Sequence, residues 1–224
     1  MDQKSLERAL PFYEQIQQTI KKGIWEGVYE PGDRMYEAQL AKQFAISRSP
    51  VREAIRALIN EGLLVMDEKS QISVYKPSLQ DVLDIYDCRI ALESKAVALA
   101  AERATEAQLG ELERILQETE KAINRKEKEE IVACNSRFHE VIIHISGNLR
   151  LKKLVNELHS LTHYYRLLNI EGSNRAETIL KGHRQIFDAI KERNPEKAFR
   201  SLEEHTKEDL ENLMILIKER ERSE

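Results

Sequence analysis

The 224-residue chain is poor in the residues that punctuate or cross-link a fold: 8 glycines, 5 prolines, 2 cysteines and only 6% aromatics. Scarce glycine and proline argue against a sheet-rich fold with many tight turns. Cys88 and Cys134 form no CxxC pair, which leaves out a disulfide scaffold and suits a reducing compartment. No apolar run approaches the ~20 residues needed to span a bilayer, and no leader-type run opens the chain. The expectation is a soluble cytoplasmic protein without a membrane partner. Charge, by contrast, is plentiful: Asp, Glu, Lys and Arg make up 33% of the residues. Helices with solvated outer faces fit that mixture, so a mainly α fold is expected.

The formal net charge is −4, but it is unevenly shared. Residues 1–78 hold 11 basic and 11 acidic side chains and are neutral, so the excess acid lies beyond them. Within that neutral stretch, Lys42, Arg48, Arg52 and Arg56 stand against Glu53 alone between positions 42 and 60. A local basic patch says more about partners than the overall charge does.

Apolar spacing predicts a helix over 12–27 (Tyr13, Ile16, Ile20, Ile24), ended by the turn signal Pro31-Gly32. A short helix follows in "YEAQLAKQFA", then a turn, then a third helix to Asn60-Glu61 stopped by Gly62. Ser47 or Ser49 is the expected N-cap, with Pro50 at the first helical position. "LLVMD" and "QISVYK" read as a two-stranded hairpin. Three helices and a wing describe a winged helix-turn-helix, with the basic third helix placed to enter a DNA major groove. Arg48 and Arg52, in or before its first turns, can reach guanine edges or phosphates, and Arg56 lies a turn further on, nearer phosphate or Glu53. At the wing tip "DEKSQ", Asp67 and Glu68 would repel phosphate, leaving Lys69 as the basic group there.

The stretch from Pro11 to Val65, with "PGDRM", "LAKQF", "SRSPVREAIRAL" and "EGLL" in order, resembles the DNA-binding domain of the GntR family of bacterial transcription regulators. That resemblance covers about the first third of the chain, and it implies that Arg34, Arg48, Ser49 and Arg52 touch DNA. The domains expected are a DNA-binding domain over 1–76, a linker over 77–80 and a helical domain over 81–224. The last reads as six antiparallel helices, 79–102, 105–125, 127–146, 148–169, 173–193 and 195–219. Such a domain behind a GntR head resembles the FCD ligand-binding domain of the FadR branch, in its shorter VanR-like group. The resemblance implies a divalent metal (Zn, Ni or Mn) held by Asn135, His139, His183 and His205, beneath a carboxylate effector. It further implies a homodimer on a pseudo-palindromic operator, most commonly as a repressor.

Helical spacing supports inward positions for these groups. Asn135 and His139 share one face, in the stripe Ile131, Asn135, Phe138, Ile142 and Ile145. His183 heads the stripe Ile186, Phe187, Ile190, and His205 lies beside Leu202, Asp209 and Leu213. Buried polar groups need joint satisfaction; a shared metal or three separately bonded histidines would each supply it. Asn135 stands where metal-binding relatives carry Asp, so the ligand set has no charge of its own. Asp209, one turn after His205, is placed to orient that imidazole from outside the ligand set. Arg89 interrupts the stripe Val82, Ile85, Leu92, Ala96, Leu99, and a buried guanidinium requires an anion. Glu93, one turn on, and an effector carboxylate are the two candidates. His159 and His163 share a face but match no ligand position. "HEVIIH" is one residue too long for the zinc-protease HExxH, since five residues put its histidines on different faces. A metal-dependent enzyme built on the helical domain is the alternative function, though no nucleophile elbow or phosphate loop supports it. Cys88 and Cys134 read as core or near-core residues.

Overall fold

A computed structural model describes residues 10–172 and 174–223. Residues 1–9 and 224, at the ends of the expected domains, and Ser173 in the expected break at 171–174 lie outside the described residues. The chain forms two compact units that meet between Lys76 and Pro77.

The first unit contains α1 (Phe12–Trp25), β1 (Arg34–Met35), α2 (Glu37–Gln43), α3 (Arg48–Asn60), β2 (Leu64–Met66) and β3 (Ile72–Val74). Ile16, Ile20 and Ile24 recur every four residues and are buried, which fixes the inner face of α1. They share a core with Leu40, Val51, Ile55, Leu58 and Leu64. Burying each such side chain stabilises the fold by roughly 1.5–3 kcal/mol. Ser47 is the N-cap of α3 but its hydroxyl accepts no capping bond. Pro50 is therefore the third helical residue rather than the first, still within the turn where a missing N–H costs nothing. Gly62, at φ 77, ends the helix as expected.

β2 and β3 form the expected antiparallel wing, pairing Leu64 with Val74 and Met66 with Ile72. The short β1 adds a third strand on the far side of β3, giving the order β1-β3-β2. Two residues are too few to leave an alternation in the sequence. At the tip, the Asp67 carboxylate accepts backbone N–H bonds from Lys69 (2.9 Å) and Gln71 (2.8 Å). Its charge is used to close the turn.

The second unit is entirely helical among the described residues: α4 (Leu79–Arg103), α5 (Glu106–Arg125), α6 (Lys128–Ile145), α7 (Leu149–Glu157), α8 (His159–Asn169), α9 (Arg175–Lys191) and α10 (Pro195–Ser223). Capping explains the starts. Ser78 accepts from the Asp81 N–H, Thr105 and Gln108 form a capping box, and Asn148 accepts from Arg150 and Leu151. Leu79 and Gln80, expected in a linker, already belong to α4. The single helix expected over 148–169 is divided at Leu158, whose N–H bonds Val155 in a tighter turn before α8 begins. α10 runs past 219 to Ser223. Val97, Leu112, Ile115, Phe138, Ile142, Ile186, Ile190 and Leu202 make the apolar core. Cys134 is buried, whereas Cys88 is exposed on α4 rather than near the core.

Candidate DNA-reading face and buried polar centre

On α3 the inner positions Val51, Ala54, Ile55 and Leu58 are buried, so the four-residue spacing of Arg48, Arg52 and Arg56 puts all three on the outer side. All three are exposed, as are Ser49, Arg34 and Lys69. Arg52 is not idle: its Nε lies 3.2 Å from each Glu37 carboxylate oxygen, and its Nη2 donates to Oε2 at 3.1 Å. This fork, which raises the Arg52 pKa through the hydrogen bond to Glu37, aims the guanidinium along the start of α2. Glu37 was not singled out from sequence. Fifteen residues separate the pair, so no helical periodicity links them.

The interior of the helical unit breaks its apolar rule in one place. α6 brings His139, α9 brings His183 and α10 brings His205, all at most 3% exposed. One nitrogen from each lies within 4.8 Å of the others. His139 Nε2 and His183 Nε2 stand 3.3 Å apart, and Phe138 stacks on His183 at 4.2 Å between centroids. His144, one residue beyond HExxH spacing, is exposed on the far side of α6. Asn135, one turn before His139, is also buried, and its Oδ1 has no hydrogen-bond partner. Gly182 makes the approach feasible, because a Cβ there would fall 2.5 Å from His205 Nδ1.

Charged side chains surround these imidazoles. The inner face of α4 is turned by about one residue from the expected stripe: Ile85, Leu92 and Leu99 are half-buried, while Val82, Tyr86, Arg89, Glu93 and Ala100 are buried. α4 is covered on more than one side, so a single apolar stripe does not describe it. Arg89 Nε donates to Glu93 Oε1 at 2.8 Å, its Cζ lies 4.6 Å from the Tyr86 ring centre, and its two terminal nitrogens have no hydrogen-bond partner. Glu93 Oε2 lies 2.8 Å from His139 Nδ1 and 4.0 Å from Arg166 Nη2. Arg166, buried on α8, escaped the sequence reading because it follows Tyr164 and Tyr165 in a segment with no periodic signal of its own. Asp209 does not orient His205 as expected: Oδ1 is taken by Arg175, and Oδ2 stands 3.9 Å from His205 Nε2, beyond hydrogen-bond reach. His159 and His163 stay outside the cluster, with His159 Nε2 3.0 Å from Glu140 and His163 Nδ1 3.3 Å from Ser136.

Burial depresses all three imidazoles. His139 is pushed down to about 4, with Arg166 adding to burial and Glu93 opposing it. His183 falls well below its usual value through burial and its two imidazole neighbours, and burial outweighs Asp209 at His205. Burial opposes the charge of Arg89, yet Glu93 outweighs it and raises the pKa. Arg166 is lowered to about 10 by burial and by Arg89. Neutral imidazoles leave one cation in excess, since the buried Arg89, Arg166 and Arg175 stand against the two buried carboxylates Glu93 and Asp209.

A divalent metal fits the residues present. Two nitrogens each about 2.0–2.1 Å from a tetrahedral zinc stand roughly 3.3–3.4 Å apart, which is the observed His139–His183 spacing. Neutral imidazoles offer lone pairs, and the orphaned Asn135 Oδ1 is an oxygen donor.

An exposed arginine row on a winged head, joined to a bundle with a polar interior, defines a DNA-binding regulator. Residues 12–74 match the family described as bacterial regulatory proteins, gntR family, and residues 84–208 match the FCD domain. The chain is 43% identical over 220 residues to YdhC, an HTH-type transcriptional regulator of Bacillus subtilis strain 168, covering 98% of both chains. It is 26% identical over 209 residues to the HTH-type transcriptional repressor RspR of Escherichia coli K12, covering 93% of this chain and 92% of that one. The solved structure of E. coli McbR/YncC superposes with a TM-score of 0.76 at 26% identity, covering 92% of this chain and 98% of that one. The chain belongs to the GntR family, in its FCD-bearing branch, and is a DNA-binding transcription regulator. Regulators of this family are not enzymes, which sets aside the metalloenzyme alternative. Among the described residues no helix is long and apolar enough to cross a membrane.

Proposed function

We propose that the chain is a cytoplasmic homodimeric repressor whose grip on a pseudo-palindromic operator is set by a small carboxylate bound in the helical domain. Residues 1–76 act as the DNA-binding domain, 77–80 as the connection and 81–224 as the sensor. Arg48, Ser49 and Arg52 read the major groove at the start of α3, and Arg34, Arg56 and Lys69 take phosphates or the adjoining groove. Two recognition helices about 34–36 Å apart would meet successive major grooves. Repressors among the relatives, RspR for one, support the sense of regulation.

In the sensor, His139, His183 and His205 would hold a divalent Zn, Ni or Mn, with Asn135 Oδ1 as the oxygen ligand. A bound ion would supply positive charge that attracts the effector carboxylate and a template that orients it. Arg89 takes that carboxylate through its terminal nitrogens, while its Nε stays with Glu93. Asp209 bears on His205 only indirectly, through its pair with Arg175. Effector binding shifts the heads between competent and incompetent arrangements by its differential affinity for the two.

The convergence of three buried, neutral imidazoles from three helices carries this reading. Elemental analysis of protein purified without a metal-affinity column tests it. About one Zn, Ni or Mn per chain is expected, lost in His183→Ala; wild-type protein without metal after soaking and a gentle wash overturns the metal site.

A further inference from the structure

One carboxylate in the bundle serves side chains from three helices. Glu93 Oε1 accepts from Arg89 Nε at 2.8 Å; Oε2 lies 2.8 Å from His139 Nδ1, close but not hydrogen-bonded to it, and Arg166 Nη2 stands 4.0 Å away. Glu93 is 3% exposed, so water does not share the work. The other buried carboxylate nearby, Asp209, is already taken by Arg175.

We infer that Glu93 is a positioning residue that couples metal ligation to effector binding: it holds Arg89 through Nε and stands close enough to His139 Nδ1 to accept from it once Nε2 carries a cation. The inference rests on the metal reading proposed above and adds a regulatory link to it. A cation on His139 Nε2 makes the Nδ1–H a stronger donor and draws more of the Glu93 charge towards His139. Arg89 is then less fully neutralised, and its unpartnered terminal nitrogens attract an external anion more strongly. An anion on those nitrogens works in reverse: it satisfies Arg89, releases Glu93 to His139 and makes the imidazole a better ligand. Both effects have the same sign, so metal and effector each tighten the other, and the coupling is reciprocal by linkage. This supplies charge that the ligand set lacks, since Asn135 brings none.

Zinc alone is the probe, titrated into the full-length protein against a chromophoric chelator. Glu93→Gln keeps the volume and an acceptor oxygen but removes the charge, and zinc affinity is expected to fall about 10- to 100-fold, the range for losing such a partner of a metal-bound histidine. Arg89→Met, which frees Glu93 for His139, is expected to tighten zinc several-fold, whereas a merely structural role would make both variants weaker. In zinc-loaded wild-type protein, long-range nitrogen NMR should find the His139 proton on Nδ1. If Glu93→Gln does not fold, Arg89→Met and the tautomer decide the matter alone. Zinc affinity within twofold of wild type in either folded variant overturns the coupling, as does weaker binding by Arg89→Met or a His139 proton on Nε2. Stoichiometric zinc with such variants would leave the metal site standing and remove only the coupling. A wild-type protein that takes up no zinc would overturn both.

Discussion

Two arginine–glutamate pairs of this chain show how surroundings decide what the same chemistry can do. Arg52 and Glu37 meet across two helices with the Arg52 side chain 53% exposed, whereas Arg89 and Glu93 meet one turn apart with 1% and 3% exposed. Water can replace either partner of the first pair, so it contributes little stability and can exchange its glutamate for a phosphate or a guanine. Nothing can replace Glu93 in the dry centre except another anion. In the function proposed above, the exposed pair would hold a reading group in readiness, and the buried one would make the interior responsive to charge.

The sharpest way to break this contrast is Glu93→Ala. Arg89 and Arg166 would then be buried with only Asp209, already paired with Arg175, as a nearby carboxylate, and unfolding in urea should register a loss of about 3–5 kcal/mol. A loss under about 1 kcal/mol would mean that the centre is wetter than its burial implies. Acid gives a smaller effect of known sign. The folded-state histidine values are depressed, His139 to about 4, below the roughly 6.5 of an unfolded chain. Between these values the unfolded state binds more protons, so stability is full above about pH 6.5 and declines as pH falls towards 4. Metal-free protein in chelator should therefore have a lower unfolding free energy at pH 5 than at pH 7, by about 2 kcal/mol from His139 alone. A flat profile would show that the three imidazoles are not buried neutral. At the exposed pair, Arg52→Ala should weaken specific operator binding by about 1–3 kcal/mol in an anisotropy titration while shifting folding stability by no more than about 0.5 kcal/mol. Equal operator affinity would remove Arg52 from the reading face.

Much of this is legible in the sequence itself. The head follows from apolar spacing, the Pro31-Gly32 turn and Gly62, all local signals. His139, His183 and His205 could be placed inward because each lies in a stripe of apolar neighbours on its own helix. The remainder depends on contacts between segments far apart in the chain. Glu37 finds Arg52 fifteen residues away, and Asp209 turns to Arg175 rather than to His205, its neighbour one turn back. Arg166 was obscured by a different circumstance. A helix packed on several sides buries more than one stripe, so a charged residue beside the apparent apolar line can be interior too. The division at Leu158 and the two-residue β1 are too short to have a periodicity.

Gly182 has a consequence for how the proposed sensor could vary. It ligates nothing, carries no charge and makes no hydrogen bond through a side chain, yet it lets α10 bring His205 against α9. One added methyl group would move an imidazole without altering any candidate ligand. Loss of sensing can therefore arise at a position that a survey of ligand residues would pass as intact. Conversely, a designer wishing to silence the sensor while sparing the head has a single-carbon change with which to do it.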